Sequence, residues 1–206
     1  VHPRPDERHI RTSDVYELSE LTKGRVEFNI EGFPDERYLR LVRQTRPAQA
    51  TLVPDPPDAL TSNAGWDAIR NQDFLRRVIA ELKPIGCRVS LFLDPDPAQV
   101  QAAKAAGADR IEFYTEPFAV AFEEGSGEQS FAHFSRAANL ALDIGLGINA
   151  GHDLNLKNLV LMRELPGLLE VSIGHALVGD ALWRGWRQTV RDYLSVLRGE
   201  EIETEL

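Results

Sequence analysis

Short runs rich in β-branched and aromatic residues recur along this chain with longer amphipathic stretches between them, and that alternation limits the fold more than any single motif. From residue 26 onward the runs fall at 26–31, 50–53, 88–93, 110–114, 146–150 and 169–173. Strands alternating with helices build a parallel sheet through right-handed crossovers. Several runs also end on, or next to, a residue that ionises. If they are parallel strands of one barrel, their C-terminal ends converge on one face and bring Glu31, Glu112, His152 and His175 into one pocket. The expected class is therefore α/β, a (β/α)8 TIM barrel forming a single domain. A doubly wound open sheet is the competitor, but it would carry a G-x-G-x-x-G turn after its first strand, and none stands here.

Helix signals fit between the strands. Asp35 is placed to cap a helix running through Tyr38, Leu39, Leu41 and Val42, and Pro84 and Gly86 follow a helix ending at Lys83. Asp96-Pro97 is an N-cap with proline at the first helical position, and Gly107 closes that helix. Residues 131–143, 156–164 and 180–197 carry apolar residues at helical spacing, and 199–206 reads as a frayed tail. Two stretches, 54–66 and 116–129, read as long loops on the active-site face. The opening Val1 reads as the last residue of a strand, so the barrel is expected to lack its first strand and helix.

With 206 residues, 43% of them apolar, the chain can bury one full core. Its net charge of −9 disfavours a surface made for nucleic-acid phosphates, though a local basic pocket can hold a small phosphorylated substrate. The single cysteine, Cys87, cannot form an internal disulfide, which fits a reducing cytoplasm. No run approaches the ~20 apolar residues of a membrane span, and the start lacks the order of a signal peptide.

The last two strand ends repeat one design. Gly151-His152-Asp153 follows one strand and Gly174-His175 follows the next. Glycine lets the backbone approach an anion, a donor histidine adds a charge-assisted bond, and a helix N-terminus supplies N–H groups. Glu31 shares a strand face with Asn29, and Glu112 shares one with Tyr114; carboxylates facing a barrel interior have the surroundings that raise a pKa for proton transfer. The opening segment offers His2, Arg4 and His9, with Arg4 suited to clamp a phosphate and His2 to exchange protons. No spacing concentrates these histidines and glutamates as metal ligands, so no metal is expected.

At these residues the chain closely resembles pyridoxine 5′-phosphate synthases of vitamin B6 biosynthesis. The resemblance rests on Val1–Ile10, Phe28-Asn-Ile-Glu31, Ala50-Thr-Leu-Val-Pro54, Val89-Ser-Leu-Phe-Leu-Asp94, Ile111-Glu-Phe-Tyr-Thr115, Asn149-Ala-Gly-His152 and Ser172-Ile-Gly-His-Ala176, in family order. It implies a homo-oligomeric (β/α)8 barrel, an octamer by resemblance, that condenses 3-amino-2-oxopropyl phosphate with 1-deoxy-D-xylulose 5-phosphate. The products would be pyridoxine 5′-phosphate, phosphate and water, with neither metal nor redox cofactor. Carried over by position, His2 and Glu31 would accept protons, His152 would donate one, and Glu112 would stabilise a transition state. Arg4, His9 and Thr61 would hold the deoxyxylulose phosphate, and Gly174 and His175 the amino ketone's phosphate. Asp153 stands where some members have glycine at the amino-ketone site. A phosphosugar isomerase or aldolase of barrel fold, or a non-catalytic binder of phosphorylated ligands, would share the phosphate-site features.

Overall fold

The computed structural model describes residues 1–55 and 62–202. In chain order its elements are α1 (Thr12–Thr22), β1 (Asn29–Gly32), α2 (Glu36–Thr45), β2 (Gln49–Leu52), α3 (Gln72–Leu82), β3 (Arg88–Leu93), α4 (Pro97–Ala106), β4 (Arg110–Tyr114), α5 (Glu116–Glu123), α6 (Gly127–Asp143), β5 (Gly147–Gly151), α7 (Leu159–Met162), β6 (Leu168–Ser172), α8 (His175–Arg184) and α9 (Trp186–Arg198). The strands pair in parallel and in sequence order as one six-stranded sheet.

Alternation along the strands divides the sheet into two unlike faces. Ile30, Ala50, Leu52, Val89, Leu91, Leu93, Ile111, Phe113, Ile148 and Ala150 lie buried against the helices in one core. Each fully buried Leu, Ile or Phe there contributes about 1.5–3 kcal/mol of transfer free energy. The opposite face carries Asn29, Glu31, Gln49, Thr51, Ser90, Arg110, Glu112, Asn149 and Glu170, and it is concave. Gln49 Nε2 donates to Glu170 Oε1 at 3.3 Å, joining β2 to β6 across four strand intervals. In a flat sheet those strands would stand about 19 Å apart. The sheet therefore curls as a half-barrel; among the described residues it has the six strands expected from the sequence, short of the eight of a complete (β/α)8 barrel.

Most local signals lead to the expected elements. Asp35 accepts from Tyr38 N at 2.8 Å, Asp96 accepts from Ala98 N at 2.7 Å, and Gly107 ends α4 at φ 99°. β3 and β4 coincide with the expected runs. β1 begins later than expected because Arg25 and Val26 donate their N–H groups to Thr22 O, closing a turn after α1.

Four stretches differ from the reading of the sequence. α1 was not anticipated, and Val15 is its sole buried residue. Residues 116–129 are not a loop: they form α5 and the start of α6, because Pro117 sits in the first turn of α5, where its missing N–H costs nothing. The helix expected over 156–164 contracts to α7, since Asn155 and Asn158 exchange side-chain-to-backbone bonds at 2.8 and 3.1 Å that hold a turn instead. The helix expected over 180–197 is two, broken at Gly185 (φ 80°, ψ 144°). In the expected tail, Gly199 and Glu200 close α9 with hydrogen bonds and Ile202 packs on the core, while 203–206 lie outside the described residues. No described helix is long and apolar enough to cross a membrane.

Candidate active site

The segment before α1 has no regular structure, so its position depends on individual contacts. Val1 N donates to Asn29 O at 2.7 Å, and Glu31 N donates to Val1 O at 2.8 Å, laying the first residue beside β1. Arg37, on α2, donates to Pro3 O and Arg4 O at 2.6–3.1 Å and holds the turn that follows. His2 Nδ1 then lies 3.2 Å from Glu31 Oε1. Arg4 is buried, with Nη2 3.4 Å from Asp55 Oδ2, and the same oxygen accepts from Ser62 Oγ at 2.6 Å. His9 is exposed in the bend before α1. Thr61 lies outside the described residues.

Two carboxyls share the concave face in opposite states. Burial alone would raise the Glu31 pKa, but the hydrogen bond and charge of His2, with Arg4 behind it, hold it below the ordinary value. Glu112, 2% exposed, is pushed up to about 8 by burial first and by the negative charge of Glu31 second; Ser172 opposes this by donating to it. Its Oε2 has no hydrogen-bond partner among the described residues. At neutral pH Glu31 is a base and Glu112 is a neutral acid, the division that acid–base catalysis requires. Gly151 makes room for this acid. A Cβ at 151 would stand 2.3 Å from Glu112 Oε1 and 2.9 Å from Ser172 Cβ.

His152 and Asp153 follow at φ 95° and 57°. The left-handed region costs a non-glycine residue about 1–3 kcal/mol and persists where surrounding contacts impose it. Here the His152 carbonyl accepts from Thr115 Oγ1, its ring packs edge-on to Tyr114 at 5.1 Å between centroids, and Asp153 O accepts from Asn158 Nδ2 at 3.0 Å. The conformation at 153 suits glycine, and aspartate is among the residues that tolerate it best. His152 Nδ1 lies 3.2 Å from Asp153 Oδ2. Glu116, His152 and Asp153 bring ligand atoms within 4.8 Å of one another, but exposed acidic groups gather in this way without an ion, so the trio carries no metal assignment.

Just after the next strand, β6, Gly174 is the N-cap of α8 and His175 its first residue, both exposed. The first N–H groups of a helix lack intrahelical acceptors, so this end presents donors and the positive end of a dipole to an anion. Among the described residues, and apart from the glycine's chain neighbours and nearby backbone of its own helix, no atom lies within 4 Å of a Cβ built on Gly174, which leaves the backbone open to a ligand.

The expected residues His2, Glu31, Glu112 and His152 thus cluster on the concave face and its rim, with Arg4 on one flank and Gly174-His175 on the other. His9 stands apart. Sequence reasoning missed Arg37, Asp55, Ser62 and Thr115, whose spacing announces nothing. Ser172 was findable by strand alternation from Glu170.

Residues 1–199 match the family model described as pyridoxal phosphate biosynthesis protein PdxJ. The chain is 53% identical over 194 residues to a pyridoxine 5′-phosphate synthase of Porphyromonas gingivalis, covering 94% of this chain and 80% of that protein. It is 49% identical over 199 residues to the synthase of Christiangramia forsetii, covering 96% and 83%. Among solved structures, it resembles 3-keto-L-gulonate-6-phosphate decarboxylase from Vibrio cholerae (TM-score 0.64, 11% identity, 93% of this chain and 80% of that one). A native KDPGal structure gives a TM-score of 0.60 at 13% identity, covering 90% and 77%; at such identities these likenesses show the fold alone, an α/β half-barrel with TIM-barrel-like neighbours. Its sequence match over residues 1–199, together with relatives near half identity, shows that the chain belongs to the PdxJ family.

Proposed function

We propose that this protein is a pyridoxine 5′-phosphate synthase, joining 3-amino-2-oxopropyl phosphate to 1-deoxy-D-xylulose 5-phosphate and releasing phosphate and water. The observation that carries the reading is the His2–Glu31 pair at 3.2 Å beside the buried Glu112, in a chain whose residues 1–199 match that family. Condensing an amine with a ketone, losing water and closing a ring each move protons, so one substrate pair needs several acid–base groups around it. No lysine ends a strand, and the imine forms on the substrate's own amine.

Glu31, ionised and backed by His2, removes protons from the joined substrates. Glu112, protonated, donates a hydrogen bond to oxygen as negative charge develops there, and His152 protonates the departing oxygen. Arg4, His9 and Thr61 hold the deoxyxylulose phosphate; Asp55 keeps the Arg4 guanidinium turned toward it. Gly174 and His175, at the start of α8, hold the other phosphate, and Asp153 borders that subsite.

The half-barrel is the greater part of a (β/α)8 barrel that works as a homo-oligomer in the cytoplasm. The ladder continues past β1 to Val1, which supports a further strand there, and Leu182, Trp183 and Trp186 offer exposed apolar area (79%, 90% and 59%) for subunit contact. Supplying both substrates and following the pyridoxine chromophore tests the function. The parent protein is expected to form it, with Glu31→Gln and His152→Ala lowering kcat by about 100-fold or more. Full rate in Glu31→Gln would remove the proton-transfer role from that residue.

A further inference from the structure

We propose that Thr115 is a positioning residue for the reaction, holding His152 in its left-handed conformation and thereby aiming the imidazole into the pocket. The inference rests on the synthase reading for its kinetic arm only. Thr115 is fully buried and occupies the N-cap position of α5, where a threonine hydroxyl ordinarily accepts from an N–H of the first helical turn. Here it makes no such cap. The hydroxyl is turned the other way and donates to His152 O at 2.5 Å, while Thr115 N donates to Gly151 O at 3.0 Å.

One residue at the end of β4 therefore grips two consecutive carbonyls at the end of β5. The grip fixes the peptide planes on both sides of His152, where φ reaches 95° at a residue with a side chain. Tyr114, next to Thr115, packs edge-on against the imidazole and sets the ring's tilt. Glu112 lies on the same strand, so β4 carries the neutral acid and the brace for the histidine as one rigid unit.

The test compares Thr115→Val, which keeps shape and loses the donor, with Thr115→Ser, which keeps the donor. With both substrates, Thr115→Val is expected to lower kcat by about 10–100-fold with each KM within about threefold, and Thr115→Ser to stay within about threefold of the parent. In the free protein, the NOE between the His152 imidazole and the Tyr114 ring is expected to vanish in Thr115→Val and persist in Thr115→Ser. Should Thr115→Val not fold, Thr115→Ala is read in its place. Equal losses in the serine and non-donor variants, or an unchanged NOE in the non-donor variant, would overturn the proposal. If the parent makes no pyridoxine 5′-phosphate, the synthase reading falls, and the NOE comparison alone still decides whether Thr115 positions His152.

Discussion

Glu31 and Glu112 are the same residue type on one concave face, and their surroundings push them apart. The contrast has a consequence for stability. Glu112 has a folded pKa raised from 4.5 to about 8, chiefly by burial and then by the charge of Glu31, so the folded state holds a proton that the unfolded state gives up. Its contribution is fully present below about pH 4.5 and is lost as pH rises through about 8. Glu31, shifted downward, contributes in the opposite sense, losing its stabilisation as pH falls through its folded pKa. Urea midpoints measured across this range are expected to decline with rising pH in the parent and to decline less in Glu112→Gln. Parallel decline in both proteins would show that Glu112 is not the group responsible. Both carboxylates were legible in the sequence because each interrupts a run of strand formers. Asp55 and Arg37 were not, since an arginine on a helix and an aspartate after a strand are ordinary there, and their partners lie 51 and 33–34 residues away.

At the scale of elements, strand signals were the clearer ones because the helix-facing residues are nearly all apolar. α1 escaped notice because Val15 alone is buried on it and the polar residues around it carry no strong period. α5 was hidden by Pro117 at its start and Gly125 and Gly127 after it, all of which resemble loop chemistry. The division of the C-terminal helix into α8 and α9 turns on Gly185, whose φ of 80° with ψ of 144° is a conformation for glycine alone. Among the described residues, a Cβ there would meet no atom within 4 Å beyond its chain neighbours, so the cost of Gly185→Ala is one of backbone strain and not of collision. That variant is expected to lose about 1–3 kcal/mol of stability by urea denaturation. An unchanged midpoint would mean that the break between the helices has another origin.

For the whole molecule, the informative property is the polar lining of the half-barrel. Arg110 Nη1 reaches Asn149 Oδ1 at 3.2 Å and Glu170 Oε2 at 3.1 Å, and Gln49 completes the set across the curl. Alternation placed Glu31 and Glu112 toward an interior, but only the curl reveals that polar groups from β2, β4, β5 and β6 meet there. A concave face with an ionised Glu31, a protonated Glu112 and His152 at its rim, between Arg4 on one side and the start of α8 on the other, fits the proposed reaction of two phosphorylated partners. Phosphorus NMR of an equimolar mixture of 3-amino-2-oxopropyl phosphate and 1-deoxy-D-xylulose 5-phosphate with the protein tests this most directly. The expected result is loss of both substrate signals together, with pyridoxine 5′-phosphate and inorganic phosphate rising in equal amounts. Consumption of either substrate alone, or no new signal from the pair, would contradict it.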